Sequence, residues 1–278
     1  MGVRVIAGLT YREAARRKIL MAALVLGIAF LTLYGVGLYL VMSGTPFLRM
    51  PNIPIVRRQI TNFLLVMGLY AVNWLTVVIT ILVSVDTLAG EIASGAIQSL
   101  VTKPVSRWEV VLGKYAGFAA MLIGFVLLMV GGVVLEIRMF TNYMPPHFGR
   151  AIGLMLMESL LLLAVTFRAG VSLSTLATGV LVFGLHLLGF LGGWIEEFGS
   201  IARSQTAVDI GVIVSLIMPS ESLWRRAAFD IQGPAIGGFG RTPFSVASVP
   251  SMWMVAYAAV FLATALGLAV RRFSARDL

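Results

Sequence analysis

Few side chains in this sequence could do chemistry. There is no cysteine, and the only histidines are His147 and His186, so disulfides, thiolate metal sites and a cysteine nucleophile are excluded. Two ionisable residues stand inside long apolar runs: Glu158 in GLMLMESLLLLAV and His186 in VLVFGLHLLGFLGG. A group of this kind is expensive in hydrocarbon. It marks either a path for polar cargo or a hydrogen bond to a neighbouring helix. Counted from helix ends placed at 167 and 171, Glu158 lies nine residues up and His186 fifteen. At ~1.5 Å per residue that is a depth offset of roughly 9 Å, so the two are not expected to pair directly. Glu136 and Arg138 fall near the end of another run and are expected to be wet.

Other clusters fail as catalysts. VVLGKY holds Gly113 and Lys114 but lacks the upstream glycine and the following Ser or Thr of a nucleotide-binding loop. The chain is therefore not expected to hydrolyse ATP, and no catalytic residue and no metal site are assigned. EEFGSIAR invites comparison with CAAX-type membrane proteases, whose signature begins Glu-Glu-x-x-x-Arg. Here five residues separate Glu197 from Arg203, and both histidines precede the acids. A Gly-x-Ser-x-Gly serine site is absent as well. An intramembrane enzyme is thus the minor alternative, beside a non-transporting anchor or assembly subunit.

The elements that carry these residues are set by hydropathy. Of 278 residues, 59% are hydrophobic and 12% charged, against about 25% charged in soluble domains. Runs of about 17 or more apolar residues are long enough to cross a bilayer core, and in lipid they must be helical. Spans are expected near 19–42, 61–85, 114–135, 151–167, 171–195 and 251–270, with a tight turn at Arg168, Ala169 and Gly170. The fold class is an all-α polytopic membrane protein, with 1–278 as a single domain. An even number of spans puts both termini on one side. Arg4, Arg12, Arg16, Arg17, Lys18, Lys103, Arg107, Lys114, Arg168, Arg271, Arg272 and Arg276 favour the cytoplasm for that side. The expected location is the inner (plasma) membrane. The net charge of +9 reflects residues flanking spans, and nucleic acid is not an expected partner.

Residues 1–18 read as a basic amphipathic helix at the membrane surface. Segment 196–250 is the main extracytoplasmic piece. Its stretch AVDIGVIVSLIMPS is too short to span and reads as interfacial or re-entrant, ahead of a Gly- and Pro-rich loop. Gly113/Gly117, Gly149/Gly153 and Gly189/Gly193 have the spacing of close helix packing.

The most polar stretch of the first half is GEIASGAIQSLVTKPVSRWEVVLGK, residues 90–114. Leu88, Ile92, Ala96 and Leu100 fall at helical steps, predicting a helix over 86–100 that lies along the membrane surface. Pro104 breaks it. Ser106 and Glu109 have capping-box spacing ahead of the third apolar run. The segment 86–110 is a structured elbow between two spans.

With those residues in view, the sequence resembles the ABC-2 type permeases, the membrane subunits of ABC transporters. Glu91, Gly95, Pro104, Ser106, Arg107, Gly113 and Lys114 match a pattern of Glu, a following Gly, Pro-x-Ser-Arg and Gly-Lys. Ala96 stands where Thr is usual. LIMPSESLWR, the tail FSARDL and the six-span layout extend the resemblance over nearly the whole chain. Length and layout are similar to single-chain members such as the nitrous oxide reductase maturation permease. The resemblance implies an exporter permease, a second permease copy forming a homodimer, and a separate ABC ATPase that binds ATP and Mg. It implies a coupling helix in the elbow, with Glu91, Gly95, Pro104, Ser106 and Arg107 in the ATPase-docking region. Glu158 and His186 are the candidates for the translocation path.

Overall fold

The computed structural model describes residues 2–16, 18–43, 54–93, 106–232 and 248–275. Among the described residues all regular structure is helical. The helices are α1 (Gly2–Arg16), α2 (Lys18–Met42), α3 (Pro54–Ala93), α4 (Arg107–Thr141), α5 (Phe148–Gly170), α6 (Thr175–Ala202), α7 (Gln205–Ile217), α8 (Ser220–Gln232) and α9 (Met252–Ser274). Six of them are long and apolar enough to cross a membrane: α2, α3, α4, α5, α6 and α9.

More than half of each apolar stretch in α3, α4 and α5 is buried, against 17% in α2 and α9. The first three therefore form the centre, and α2 and α9 lie outside, with most of their surface left uncovered by the rest of the chain. The apolar interior falls into two clusters, the larger with Leu65, Leu69, Val126, Met129, Val133, Leu163 and Phe167 at its heart. Lipid tails are as apolar as these side chains, so fit and close approach hold the helices together. Glycine supplies the approach. A Cβ at Gly117 would stand 2.8 Å from the Ala7 carbonyl oxygen, and one at Gly113 would stand 2.7 Å from Ile6 Cβ. The first glycine pair thus seats α1 on the start of α4. The third pair works on the other side of the molecule: a Cβ at Gly189 would meet the Met218 carbonyl oxygen at 2.6 Å, and one at Gly193 would meet Glu221 Cγ at 3.1 Å. Cβ atoms at Gly149 or Gly153 would meet nothing within 4 Å, so these two do no packing among the described residues.

Two boundaries differ from the sequence expectation. Helix α5 runs through Arg168 and Ala169 to Gly170, and the turn occupies 171–174 instead. Ser174 caps α6 by accepting from the Ala177 N–H, and Arg168 donates to the Ser172 hydroxyl at 3.3 Å, which closes the turn later than the glycine suggested. The second difference is in α3, which continues past Asp86 to Ala93. Leu88 and Ala89 are buried, beside Gly170. Up to Ala93 the expected surface helix is an extension of the second span, and 94–105 lie outside the described residues.

Helices α7 and α8 are bent by 112° at Met218 and Pro219. Met218 is extended, with φ −144 and ψ 96, as the residue before a proline prefers. Helix α7 returns along α6, and α8 then packs beneath α5.

Candidate functional site

A polar cluster lies in the buried centre where α3, α5, α6 and α8 meet. Asn73 on α3 donates to Glu158 Oε1 on α5 at 3.4 Å. Both residues are buried. The other carboxylate oxygen of Glu158 has no hydrogen-bond partner among the described residues. One helical position on, Trp74 sets its ring edge-on to His186 with centroids 5.4 Å apart. His186 Nδ1 is 2.9 Å from the Ser220 hydroxyl, and both are buried. Glu221, next in α8, is buried and lies within electrostatic reach of Glu158.

The corrected turn changes the depth relation between the two candidates. Glu158 is twelve residues from Gly170, and His186 is eleven from Thr175. At ~1.5 Å per residue the offset falls to about 1.5 Å, so the two side chains lie at nearly one depth. Still they do not bond each other. Glu158 takes Asn73 and His186 takes Ser220.

A ladder of small polar groups leads from this cluster along α3. Thr76, Thr80 and Ser84 donate to the carbonyls of Val72, Thr76 and Thr80 at 2.8, 2.7 and 2.6 Å. The bonds satisfy the hydroxyl protons on the helix itself and leave the oxygens as acceptors. Below the ladder, Thr175 donates to Asp86 Oδ1 at 3.4 Å. The hydroxyl of Thr178 on α6 is buried without a hydrogen-bond partner among the described residues. The sequence reading missed this ladder, although hydroxyls at 76, 80 and 84 recur at one-turn spacing.

At the other end of α6 a buried ion-pair group closes the structure. Arg225 of α8 donates from Nη1 to Glu196 Oε2 at 2.7 Å and from Nη2 to the Ser248 carbonyl at 2.6 Å. Glu197 Oε2 is 3.6 Å from Nη2 and accepts from the Ser248 N–H at 3.3 Å. The Ser248 hydroxyl donates to Glu196 Oε1. Arg226 donates to the Pro250 carbonyl at 3.1 Å. The acids of the protease-like EEFGSIAR stretch are therefore held by Arg225, while Arg203 sits in the following turn. The group ties α6, α8 and the entry to α9 into one latch.

At the elbow, the Ser106 N–H donates to Glu109 Oε2 at 3.2 Å, the return arm of a capping box. Arg107 donates to the Ser274 carbonyl at 3.4 Å and so bonds the end of α9. Gly95, Pro104 and the Glu91 side chain lie outside the described residues. Among the described residues no three His, Asp or Glu side chains converge as metal ligands.

A buried polar cluster lies inside six helices long and apolar enough to cross a membrane, beside a bent helix pair. The family model described as ABC-2 family transporter protein matches residues 5–278. The chain belongs to the ABC-2 transporter family. A search of curated proteins finds no match. In general, ABC-2 permeases work with an ABC ATPase partner and are the membrane component of the transporter, not its catalyst.

Proposed function

We propose that the chain is the permease subunit of an exporter, powered by a separate ABC ATPase and paired with a second permease copy. Family membership over 5–278 carries this reading. Two geometric features support it. Helices α3 and α4 have 40 and 35 residues, about 60 and 52 Å, where the hydrocarbon needs about 30 Å. The end of α3 and the start of α4 flank residues 94–105, so two long levers lead to the elbow that would dock the ATPase. Glu91, Gly95, Pro104, Ser106 and Arg107 belong to that docking region in this reading, and both termini face the cytoplasm of the plasma membrane. At the other end the Glu196–Arg225 latch would close the exit, with Glu158, His186 and the α3 ladder lining the path between. ATP-driven movement of the elbow would rock α3 and α4 against α5 and α6.

The test is purification of the chain from its native membrane. An ABC ATPase should accompany it, and Arg107→Glu should weaken the complex and lower its stimulated ATPase rate. A chain that always purifies without an ATPase would overturn the exporter reading. ATPase stimulation unchanged by Arg107→Glu would remove Arg107 from the docking site.

A further inference from the structure

An apolar groove of about 660 Å³ runs along the C-terminal half of α6 beside α7, lined by Phe190, Trp194, Phe198, Gly199, Ala202 and Ala207 among others. We infer that this groove holds one acyl chain of an anionic membrane phospholipid, with its phosphate at Arg203. The inference rests on the chain's being a membrane protein and is independent of whether it exports anything.

Length is the first argument. From Phe190 to Ala202 is ~18 Å along the helix, close to the ~15 Å depth of one leaflet's hydrocarbon. The whole of α6 has 28 residues, or ~42 Å, so a helix starting at one interface ends in the headgroup layer of the other. Arg203 follows directly on α6 and is exposed. It therefore stands at phosphate depth, while the groove lies at acyl depth.

Charge is the second argument. Ala202 and Ser204 both line the groove, which puts Arg203 at its lip. No ion pair to Arg203 forms among the described residues, and Asp209, further along α7, accepts from Gln205 at 2.9 Å. Ser204, the N-cap of α7, makes no side-chain cap bond, so a second anion-favouring element stands at the same lip. The α6 chain end is locked: the Arg203 backbone is left-handed at φ 54 and its N–H bonds the Gly199 and Ser200 carbonyls. Close approach of Gly199 to Ala207 and Val208 fixes the floor, so the groove is built rather than a gap between loose helices.

An open groove facing lipid fills with a tail, because an empty one forfeits dispersion contacts. Apolar burial alone gains little there, since bulk tails are equally apolar. Selectivity must come from the lip, and an arginine at that depth selects an anionic headgroup.

The experiment is native mass spectrometry of the full chain, purified and supplied with phosphatidylglycerol or with diacylglycerol of the same tails. The wild type should retain one phosphatidylglycerol and hold it about fivefold better than diacylglycerol. Arg203→Gln, an exposed change that leaves the packing intact, should erase that preference. Ala202→Trp, at an exposed wall position, should lower retention of both lipids. Equal retention of the two lipids by the wild type, or a preference that survives Arg203→Gln, would overturn the inference. So would efficient disulfide cross-linking of two copies through a single cysteine at Ala207, which would make the groove a contact between copies. The chain has no cysteine of its own, so that result is unambiguous.

Discussion

Glu158 has one described donor, Asn73, and one oxygen with none. Removing that donor leaves the whole buried carboxyl without a partner, which costs about 1–3 kcal/mol. Asn73→Leu should therefore destabilise the purified protein by that amount in denaturant unfolding. In Asn73→Leu/Glu158→Leu both polar groups are gone, and most of the loss should be recovered. A double variant no more stable than Asn73→Leu alone would show that the bond contributes little. Function is separated by Glu158→Gln, which keeps an acceptor for Asn73 and removes the ionisable group. If Glu158 lines the path, this variant folds with unchanged stability and transports poorly; wild-type transport would leave Glu158 a structural bond only. At this scale the sequence showed the ionisable pair plainly, because a Glu and a His stand out in apolar runs. Asn73, Ser220 and the hydroxyl ladder did not stand out. Small polar residues are common in membrane helices and bond their own backbone, so only the neighbours reveal which of them face a shared interior.

Between elements, close approach and ionic locking can be tested apart. A methyl at Gly189 would collide with the Met218 carbonyl oxygen, 2.6 Å away, at the bend that separates α7 from α8. Overpacking of this kind costs about 1–3 kcal/mol, so Gly189→Ala should lower the thermal midpoint. Gly153→Ala, where a Cβ meets nothing within 4 Å, should raise stability by about 0.5–1 kcal/mol through helix propensity. The two substitutions are chemically identical, and equal responses would show that the α6–α8 approach is loose. The latch is a different contact. Arg225 and Glu196 are both buried, and removing one partner of a buried pair costs about 3–5 kcal/mol. Arg225→Leu should therefore melt the α6–α8 junction far more than Glu197→Gln, whose contact with Arg225 is 3.6 Å long. A thermal midpoint within a degree of wild type for Arg225→Leu would dismiss the latch. The spans were legible because apolar runs longer than a bilayer core have one outcome in lipid. Their ends were not. The α5–α6 turn came four residues later than Arg168–Gly170 suggested in its last position, since Ser174 rather than Gly170 sets the start of α6, and that shift erased a depth offset on which the pairing argument rested.

Over the whole molecule, counting spans fixes which segments share a face, and one pair of positions tests both that layout and the orientation. Residue 98 lies between α3 and α4, and residue 205 is the first of α7, just after α6. Three spanning helices, α4, α5 and α6, separate them, so the two must lie on opposite faces whichever way the protein inserts. If both termini are cytoplasmic, Gln98 faces the cytoplasm and Gln205 the outside. Single cysteines at each are unambiguous reporters because the native chain has none. In intact cells an impermeant maleimide should label Gln205→Cys and spare Gln98→Cys, and in inverted vesicles the pattern should reverse. Labelling of both from one side would break the six-span layout itself, whereas an exchanged pattern would keep the layout and flip the orientation. Adding the ATPase partner to inverted vesicles should then protect Gln98→Cys, because the levers formed by α3 and α4 would present that segment to the docked subunit. Protection absent in a complex that still hydrolyses ATP would place the docking surface elsewhere and free the elbow from the role proposed for it.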